Sequence, residues 1–252
     1  MRVLRLRRRI EQIDRLTEKL SFVITSILGT FSSRGGLYPD LVITDIVINL
    51  NGRRFFCRKG TTDWLHVMDF EPETTEFLSR QHGNVFLDIG AHIGRYTVLL
   101  AGNFKKVVSA EPFGETFRIL SRNVKNNHLR NIVVNKALAE TEGHEWLYVH
   151  QNLGQCSMIF PSNCRVQVPV TTADFLLRRL GIYPEEVALV KIDVEGAEQR
   201  VLRGAQHLLM RGSAKLLVES SQGSEKLKDS LVPFGYSVKC NLDGLNCLLE
   251  KS

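Results

Sequence analysis

The sequence predicts an α/β protein built on an open, mostly parallel sheet with helices on both faces. Two observations carry this. From Asn84 onward, runs rich in Val, Ile and Leu alternate with stretches whose apolar residues recur at helical spacing. The runs are apolar throughout, as expected of strands buried on both faces. At 252 residues the chain holds one such domain and an appendage.

Residues 1–31 are expected as one basic amphipathic helix. Leu6, Ile10, Ile13, Leu16, Leu20, Ile24, Ile27 and Leu28 keep helical spacing beside Arg2, Arg5, Arg7, Arg8 and Arg9. Those five arginines account for most of the net charge of +6, so the basicity belongs to the arm and not to a face of the body. Nucleic acid is thereby disfavoured as the main partner. Such a helix packs on its own body or on a second copy, or lies on a membrane surface, so membrane-surface contact and homodimerisation are the partner roles expected of it. Acidic residues Glu11, Asp14 and Glu18 interrupt any secretory apolar stretch, and Ser21 to Phe31 is too short to span a bilayer. Five scattered cysteines without CxxC pairing fit neither a disulfide framework nor structural zinc. The expected location is the cytoplasm, with the membrane surface as a peripheral option.

Residues 32–82 read as a small prelude. A break at Ser32-Ser33-Arg34-Gly35-Gly36 precedes a hairpin, LVITDIVINLNGRRFFCR, turning at Asn51-Gly52, and a helix over TTEFLSR. The main domain is expected over 83–252. NVFLDI is a strand, GRYTVLLAGNF a helix, KVVSAE a strand, ETFRILSRNVKNN a helix and NIVVNKAL a third strand. EWLYVHQ and RVQVPV suggest a β excursion, followed by the helix ADFLLRRLG. VALVKID is a strand, EGAEQRVLRGAQHLLMRG a helix and AKLLVES a strand, and the tail closes as an antiparallel pair about Asp243-Gly244.

Ligands of such sheets bind at the carboxyl ends of the strands. Asp88 ends the first strand, and Gly90 and Gly94 turn the chain into the next helix. Gly90 is expected to bring backbone N–H groups near a ligand, and Asp88 to meet an amine. The spacing is G-x-x-x-G with His92 where a dinucleotide fingerprint needs a glycine, so a pyrophosphate is disfavoured, and no triphosphate-binding loop is present. Glu111, about 20 residues past this turn, sits where an acid chelates ribose hydroxyls; Pro112 fixes the turn and Phe113 is a candidate wall for adenine. An amino-acid portion near Asp88 with a ribose at Glu111 and no phosphate clamp describes S-adenosylmethionine better than NAD. In VALVKIDVEGAE, Lys191 and Asp193 share one side of a strand, Glu195 and Glu198 follow through Gly196, and Glu219 ends the next strand. Such charges at a strand end are costly unless paired or functional; for Asp193 function is the favoured reading, for Glu198 a helix amino-terminus.

VFLDIGAHIGRYTVLLA, SAEPFGETFRILSRNVKNN, VVNKALAETEG, VPVTTADFLL and LVKIDVEGAEQRVLRGA together resemble the FkbM family of S-adenosylmethionine-dependent methyltransferases, in order from about Thr62 to the carboxyl end. The resemblance implies the class I methyltransferase (Rossmann-like) three-layer sandwich: seven strands, mostly parallel, the last antiparallel. It implies S-adenosylmethionine as cofactor, with Asp88, Gly90 and Gly94 at the methionine part, Glu111 at the ribose, and Phe113, Ala137 and Leu138 bordering the adenine. Ala91, His92 and Pro112 are further cofactor-binding candidates, and Asp193 lines the reaction side. His92 stands where many relatives have asparagine, and Ala173 precedes Asp174 where many have leucine. The arm lies outside the resemblance.

The implied reaction is O-methylation of a hydroxyl on a sugar, glycan or other metabolite, which makes a small-molecule or glycan acceptor the expected partner. It needs a positioned base, for which His92, Asp193, Glu195 and Glu219 are the candidates, with His92 favoured as a wall residue. No metal site is assigned. The alternatives are RNA methylation using the basic arm, although DVEG replaces the N-P-P-[YF] loop common in amino-nitrogen base methylation, and a protein that binds the cofactor without catalysis.

Overall fold

The computed structural model describes residues 2–32, 42–68, 71–150, 153–220 and 225–251; the break expected at residues 33–36 lies outside them. The arm, expected as one helix, is two: α1 (Arg2–Glu11) and α2 (Leu16–Ser32). The backbone between them has a competing use. Asn49 N–H donates to the Gln12 carbonyl at 2.6 Å and Asp14 N–H to the Val47 carbonyl at 3.1 Å, so the chain pairs there with β1 (Ile46–Leu50) instead of continuing a helix. Ile13 thereby enters a core beside Ile48, and Phe22 packs edge-on against Trp64 with ring centroids 4.9 Å apart. These contacts hold the arm on its own body, while Leu16, Leu20 and Ile24 stay exposed.

β1 forms a hairpin with β2 (Arg53–Cys57) through Asn51 and Gly52, both at positive φ, as a two-residue primed turn requires. The fully buried Asn123 ties this hairpin to the body: its Oδ1 accepts from Phe56 N–H at 2.8 Å and its Nδ2 donates to the Ile93 carbonyl at 2.9 Å. Helix α3 (Pro72–Ser79) follows, and the Asp243 carboxylate accepts the N–H groups of Glu73 and Thr74 in its first turn.

The main domain then runs β3 (Gly83–Ile89), α4 (Arg95–Leu99), β4 (Phe104–Ala110), α5 (Gly114–Asn126) and β5 (Ile132–Val134). β6 (Ala137–Leu138), β7 (Gly143–Val149) and β8 (Cys164–Thr171) make a separate three-stranded sheet. α6 (Ala173–Arg179), β9 (Val187–Ile192), α7 (Glu198–Arg203), α8 (Gln206–Arg211), β10 (Lys215–Glu219), α9 (Glu225–Leu231), β11 (Tyr236–Leu242) and β12 (Asn246–Lys251) complete it. The central sheet has the order β11-β12-β10-β9-β3-β4-β5, and β12 runs antiparallel to both its neighbours. This is the expected seven-stranded, mostly parallel sheet with an antiparallel last strand. β3 and β9 pair at its centre, and the chain winds outward from them in both directions, so the crevice opens at their carboxyl ends.

Strand parity divides the core. Val85, Leu87, Ile89, Val190 and Ile192 face α6 to α9, whereas Phe86, Val107, Leu189 and Leu217 face α3 and α4. The result is three layers.

Several elements differ from expectation. The helix expected over GRYTVLLAGNF is five residues long. NIVVNKAL divides into β5 and β6, because the Asn135 side chain turns the chain by donating to the carbonyls of Glu111 and Pro112, both at 2.9 Å. EGAEQRVLRGAQHLLMRG divides into α7 and α8 at Gly204, whose backbone packs directly on Ala139: a Cβ there would fall inside the radius of the Ala139 carbonyl oxygen. Gly204→Ala is therefore expected to destabilise the protein by about 2–3 kcal/mol, as overpacking against fixed backbone does. Gly102→Ala, whose Cβ meets only the end of Arg53, should change stability by less than about 0.5 kcal/mol. Denaturant unfolding of both variants checks this, and equal midpoints would contradict it.

Candidate active site

The ends of three strands are locked together at the crevice. Asp193 N–H donates to the Ile89 carbonyl at 2.9 Å, and Gly90 N–H and Ala91 N–H both donate to the Ala110 carbonyl at 3.0 Å. Gly90 has φ +82°, and a Cβ there would overlap the Asp193 carbonyl, so glycine is required on both counts. Beside this junction lies a cleft of about 780 Å³, counted with its open mouth. Of the residues expected at the site, it brings together Gly90, His92, Glu111, Pro112, Ala137, Leu138, Asp193, Glu195 and Glu219.

Asp88, Ala91, Gly94 and Phe113 do not line the cleft. Asp88 was expected to meet a ligand amine. Strand parity instead turns it toward α4, where Thr97 donates to it at 2.6 Å and Ser109 bonds Thr97 at 2.8 Å. Burial pushes its carboxyl up to about 6, against the Thr97 hydrogen bond. Ala91 is buried, and Gly94 packs under Leu120, where a Cβ would come within 2.6 Å of Cδ1. Phe113 packs with Ala137, Leu147 and Val168 on the small sheet, behind the cleft wall. The expectation that Gly90 presents N–H groups to a ligand is also corrected. The amides of Gly90 and Ala91 are spent on Ala110, that of His92 on Glu111 and that of Gly94 on Ala91, so the loop is a wall and not an anion cradle.

Glu111 is the polar centre of this wall. Its Oε1 accepts from Phe113 N–H at 2.9 Å and its Oε2 from His92 N–H at 3.0 Å. Burial raises its carboxyl to about 7, against those two hydrogen bonds. Each oxygen holds one backbone donor and keeps a further lone-pair direction for a ligand.

Across the cleft the carboxyls divide by environment. Lys191, buried on the strand and 5.4 Å over the Tyr96 ring, donates to Asp193 at 2.7 Å. Burial opposes both charges, yet each holds the other ionised: Asp193 below its usual range and Lys191 well above its own. Glu219 hydrogen-bonds Asp193; burial and the Asp193 charge push it up to about 9, so it keeps its proton at neutral pH. Glu195 stands at positive φ in the turn after Asp193, and burial with the charges of Asp193 and Glu198 raises it to about 7. Glu198 caps its own turn, accepting from Gly196 N–H at 2.8 Å. Among the described residues no group of three or more His, Cys, Asp and Glu is placed to hold a metal ion.

The His92 ring lies against that of His66, tilted by 60° with centroids 4.5 Å apart, and its Nε2 lies 3.8 Å from Asp63, which Arg58 pairs at 2.8 Å. Burial, then the neighbouring His66, lowers it to about 3, so it is neutral. Sequence reasoning missed His66, Leu147, Cys156 and Met158, which also line the cleft. They arrive from the prelude and the β excursion, and no local pattern marks them.

Residues 88–232, more than half of the chain, match the family model described as the methyltransferase FkbM domain. Among solved structures, the methyltransferase FkbM from Methylobacillus flagellatus KT is similar at 15% identity and a TM-score of 0.49; the match covers 98% of this chain but only 58% of that one, less than two thirds of its length. TYW2 from P. horikoshii in complex with MeSAdo matches at 14% identity and a TM-score of 0.50, over 93% of this chain and 81% of that one. TYW2 from M. jannaschii in complex with AdoMet matches at 16% and 0.46, over 83% and 87%. Such likeness bears on the fold, which is the class I methyltransferase sandwich. No curated protein matches. Among the described residues no helix is long and apolar enough to cross a membrane.

His92 sets one pH dependence. Its pKa falls from an ordinary 6.5 to about 3 on folding, so between these values the unfolded chain binds more protons. Its contribution to stability is present above pH 6.5 and lost as pH falls toward 3, by up to about 1.4 kcal/mol per pH unit. His92→Asn, which tolerates the left-handed backbone there, is expected to lose about 2 kcal/mol less than the wild type between pH 7 and pH 5. Equal losses in denaturant unfolding at the two pH values would contradict this assignment.

Proposed function

The chain belongs to the FkbM methyltransferase domain family, and from that premise we propose that it transfers a methyl group from S-adenosylmethionine to a hydroxyl oxygen of a sugar, glycan or other small metabolite. Glu111 is the observation that carries the reading. It is buried at the end of the second strand of the fold, each oxygen already fixed by one N–H and open to one more donor, which suits a ribose diol. The amides of the glycine loop are spent internally, which suits a cofactor without phosphates and not a dinucleotide. Ala137, Leu138 and Leu147 supply an apolar wall for a base.

S-adenosylmethionine supplies an electrophilic methyl group on a sulfonium sulfur. As the C–O bond forms and the C–S bond breaks, the acceptor hydroxyl loses its proton. Glu195 is the proposed base: raised to about 7, it is about half ionised near neutral pH and basic enough to take that proton. The Asp193–Glu219 pair shares one proton between its carboxyls, and its remaining lone pairs accept from the hydroxyl and so orient it. Neutral His92 remains a wall.

Glu111→Gln must turn an amide N–H toward a backbone N–H, and is expected to weaken cofactor binding roughly 30- to 100-fold in calorimetry, the worth of a charged hydrogen-bond set. Glu195→Gln should leave that affinity unchanged and lower kcat by about 10²-fold or more. Wild-type turnover should rise with pH through about 7, and the variant should lack that limb. Full transfer by either variant would overturn the site. Methylation of bulk RNA surviving deletion of residues 1–31 would replace the hydroxyl reading, and cofactor binding with no turnover would indicate a binder only.

A further inference from the structure

A second chamber, of about 800 Å³ including its mouth, adjoins the cleft and shares His66, Glu195 and Glu219 with it. Its remaining walls come mainly from outside the residues that match the family. Thr62 and Leu65 belong to the prelude, Glu71 precedes α3, and Asp243, Leu245 and Asn246 come from the closing hairpin. The methyl-donor side is thus built from the shared domain, and the side beyond Glu195 from this chain's own additions.

Four of the polar groups of this chamber are carboxyls, Glu71, Glu195, Glu219 and Asp243. Glu71 is fixed by Tyr96, whose hydroxyl donates to it at 2.6 Å, and by Asn246, whose Nδ2 donates at 2.8 Å. That bond settles the orientation of the Asn246 amide. The residue borders the chamber but is fully buried, and its Oδ1 has no hydrogen-bond partner. A buried acceptor of this kind calls for a donor from a ligand or an ordered water. No Lys or Arg side chain lines the chamber among the described residues, while Glu71, Glu195, Glu219 and Asp243 do. Burial and then the Asp193 charge already raise both Glu195 and Glu219, with Glu198 adding to the first and Glu71 to the second; a further anion would add to that repulsion, and hydroxyl donors would relieve it.

Resting on the methyltransferase reading, we propose that this chamber is the acceptor site, that it selects a polyhydroxylated molecule carrying no anionic group, and that Glu71 and Asn246 determine this specificity. A phosphate, sulfate or uronate would find no cation there and face carboxylates, whereas sugar hydroxyls supply the donor that the Asn246 Oδ1 lacks and add to the two that Glu71 holds.

The test uses the full chain. Calorimetry with S-adenosylmethionine comes first, and absence of binding would remove the methyltransferase reading and this inference with it. Methyl-labelled cofactor is then offered with an array of glycans, each neutral member paired with phosphorylated, sulfated and carboxylated forms. Label on neutral members, by about tenfold or more over their anionic partners, is expected from charge exclusion. Cofactor binding with label mainly on anionic members, or on no glycan, would overturn the proposal while leaving cofactor binding intact. Glu71→Gln should raise the acceptor KM about tenfold with cofactor affinity unchanged within about twofold, a split that a general loss of folding would not produce. Should that variant fold poorly, Leu245→Arg at the exposed rim adds a cation and should shift preference toward phosphorylated members by about tenfold. An unchanged preference in Leu245→Arg would place the acceptor elsewhere.

Discussion

The approach of the Gly90 backbone to the Asp193 carbonyl is the constraint on which the rest of the site depends. No side chain fits between them, so the turn after β3 lies directly on the turn after β9. With Asp193 bonded to Ile89, and Gly90 and Ala91 to Ala110, three strand ends become one rigid edge. The amides of Gly90 and Ala91 are consumed in making it. Glu111, anchored by the amides of His92 and Phe113, becomes the polar group that faces the cleft. A glycine loop whose spacing disfavours a pyrophosphate is thus a wall with a carboxyl group at its foot.

Electrostatics follow from the same geometry. The edge brings Lys191 and Asp193 together in a buried place where each stabilises the other's charge. Asp193 in turn keeps Glu219 protonated and helps hold Glu195 near neutrality. One cluster therefore contains an ionised acid, a neutral acid and a poised one, which is the division of roles that proton transfer at neutral pH requires. Neutral His92 fills space against His66 without adding charge.

Local pattern explains what was legible in the sequence. The strand–helix alternation, the primed turn at Asn51-Gly52 and the closing hairpin at Asp243-Gly244 depend on neighbouring residues, and the structure has each of them. Glu111 was legible because strand and turn lengths in this fold fix its distance from the glycine turn. The arm's break was not, since the amides around Ile13 choose a strand 35 residues away over their own helix. Nor was the division of NIVVNKAL, which rests on one asparagine side chain reaching back to the turn at Glu111. Asp88 misled because its position in the motif says nothing of strand parity, which turns it under the loop. His66, Glu71 and Asn246 carry no motif; only the packing of the prelude and the closing hairpin against the sheet brings His66 to the cleft and all three to the chamber beside it.

The central claim is that Glu111 at this edge receives the ribose of a methyl donor. A crystal structure with S-adenosylhomocysteine tests it most directly. The account predicts both ribose hydroxyls within hydrogen-bond distance of the two Glu111 oxygens, with the thioether sulfur toward Asp193 and Glu195. A ribose bound elsewhere, with Glu111 still holding only the N–H groups of His92 and Phe113, would contradict it.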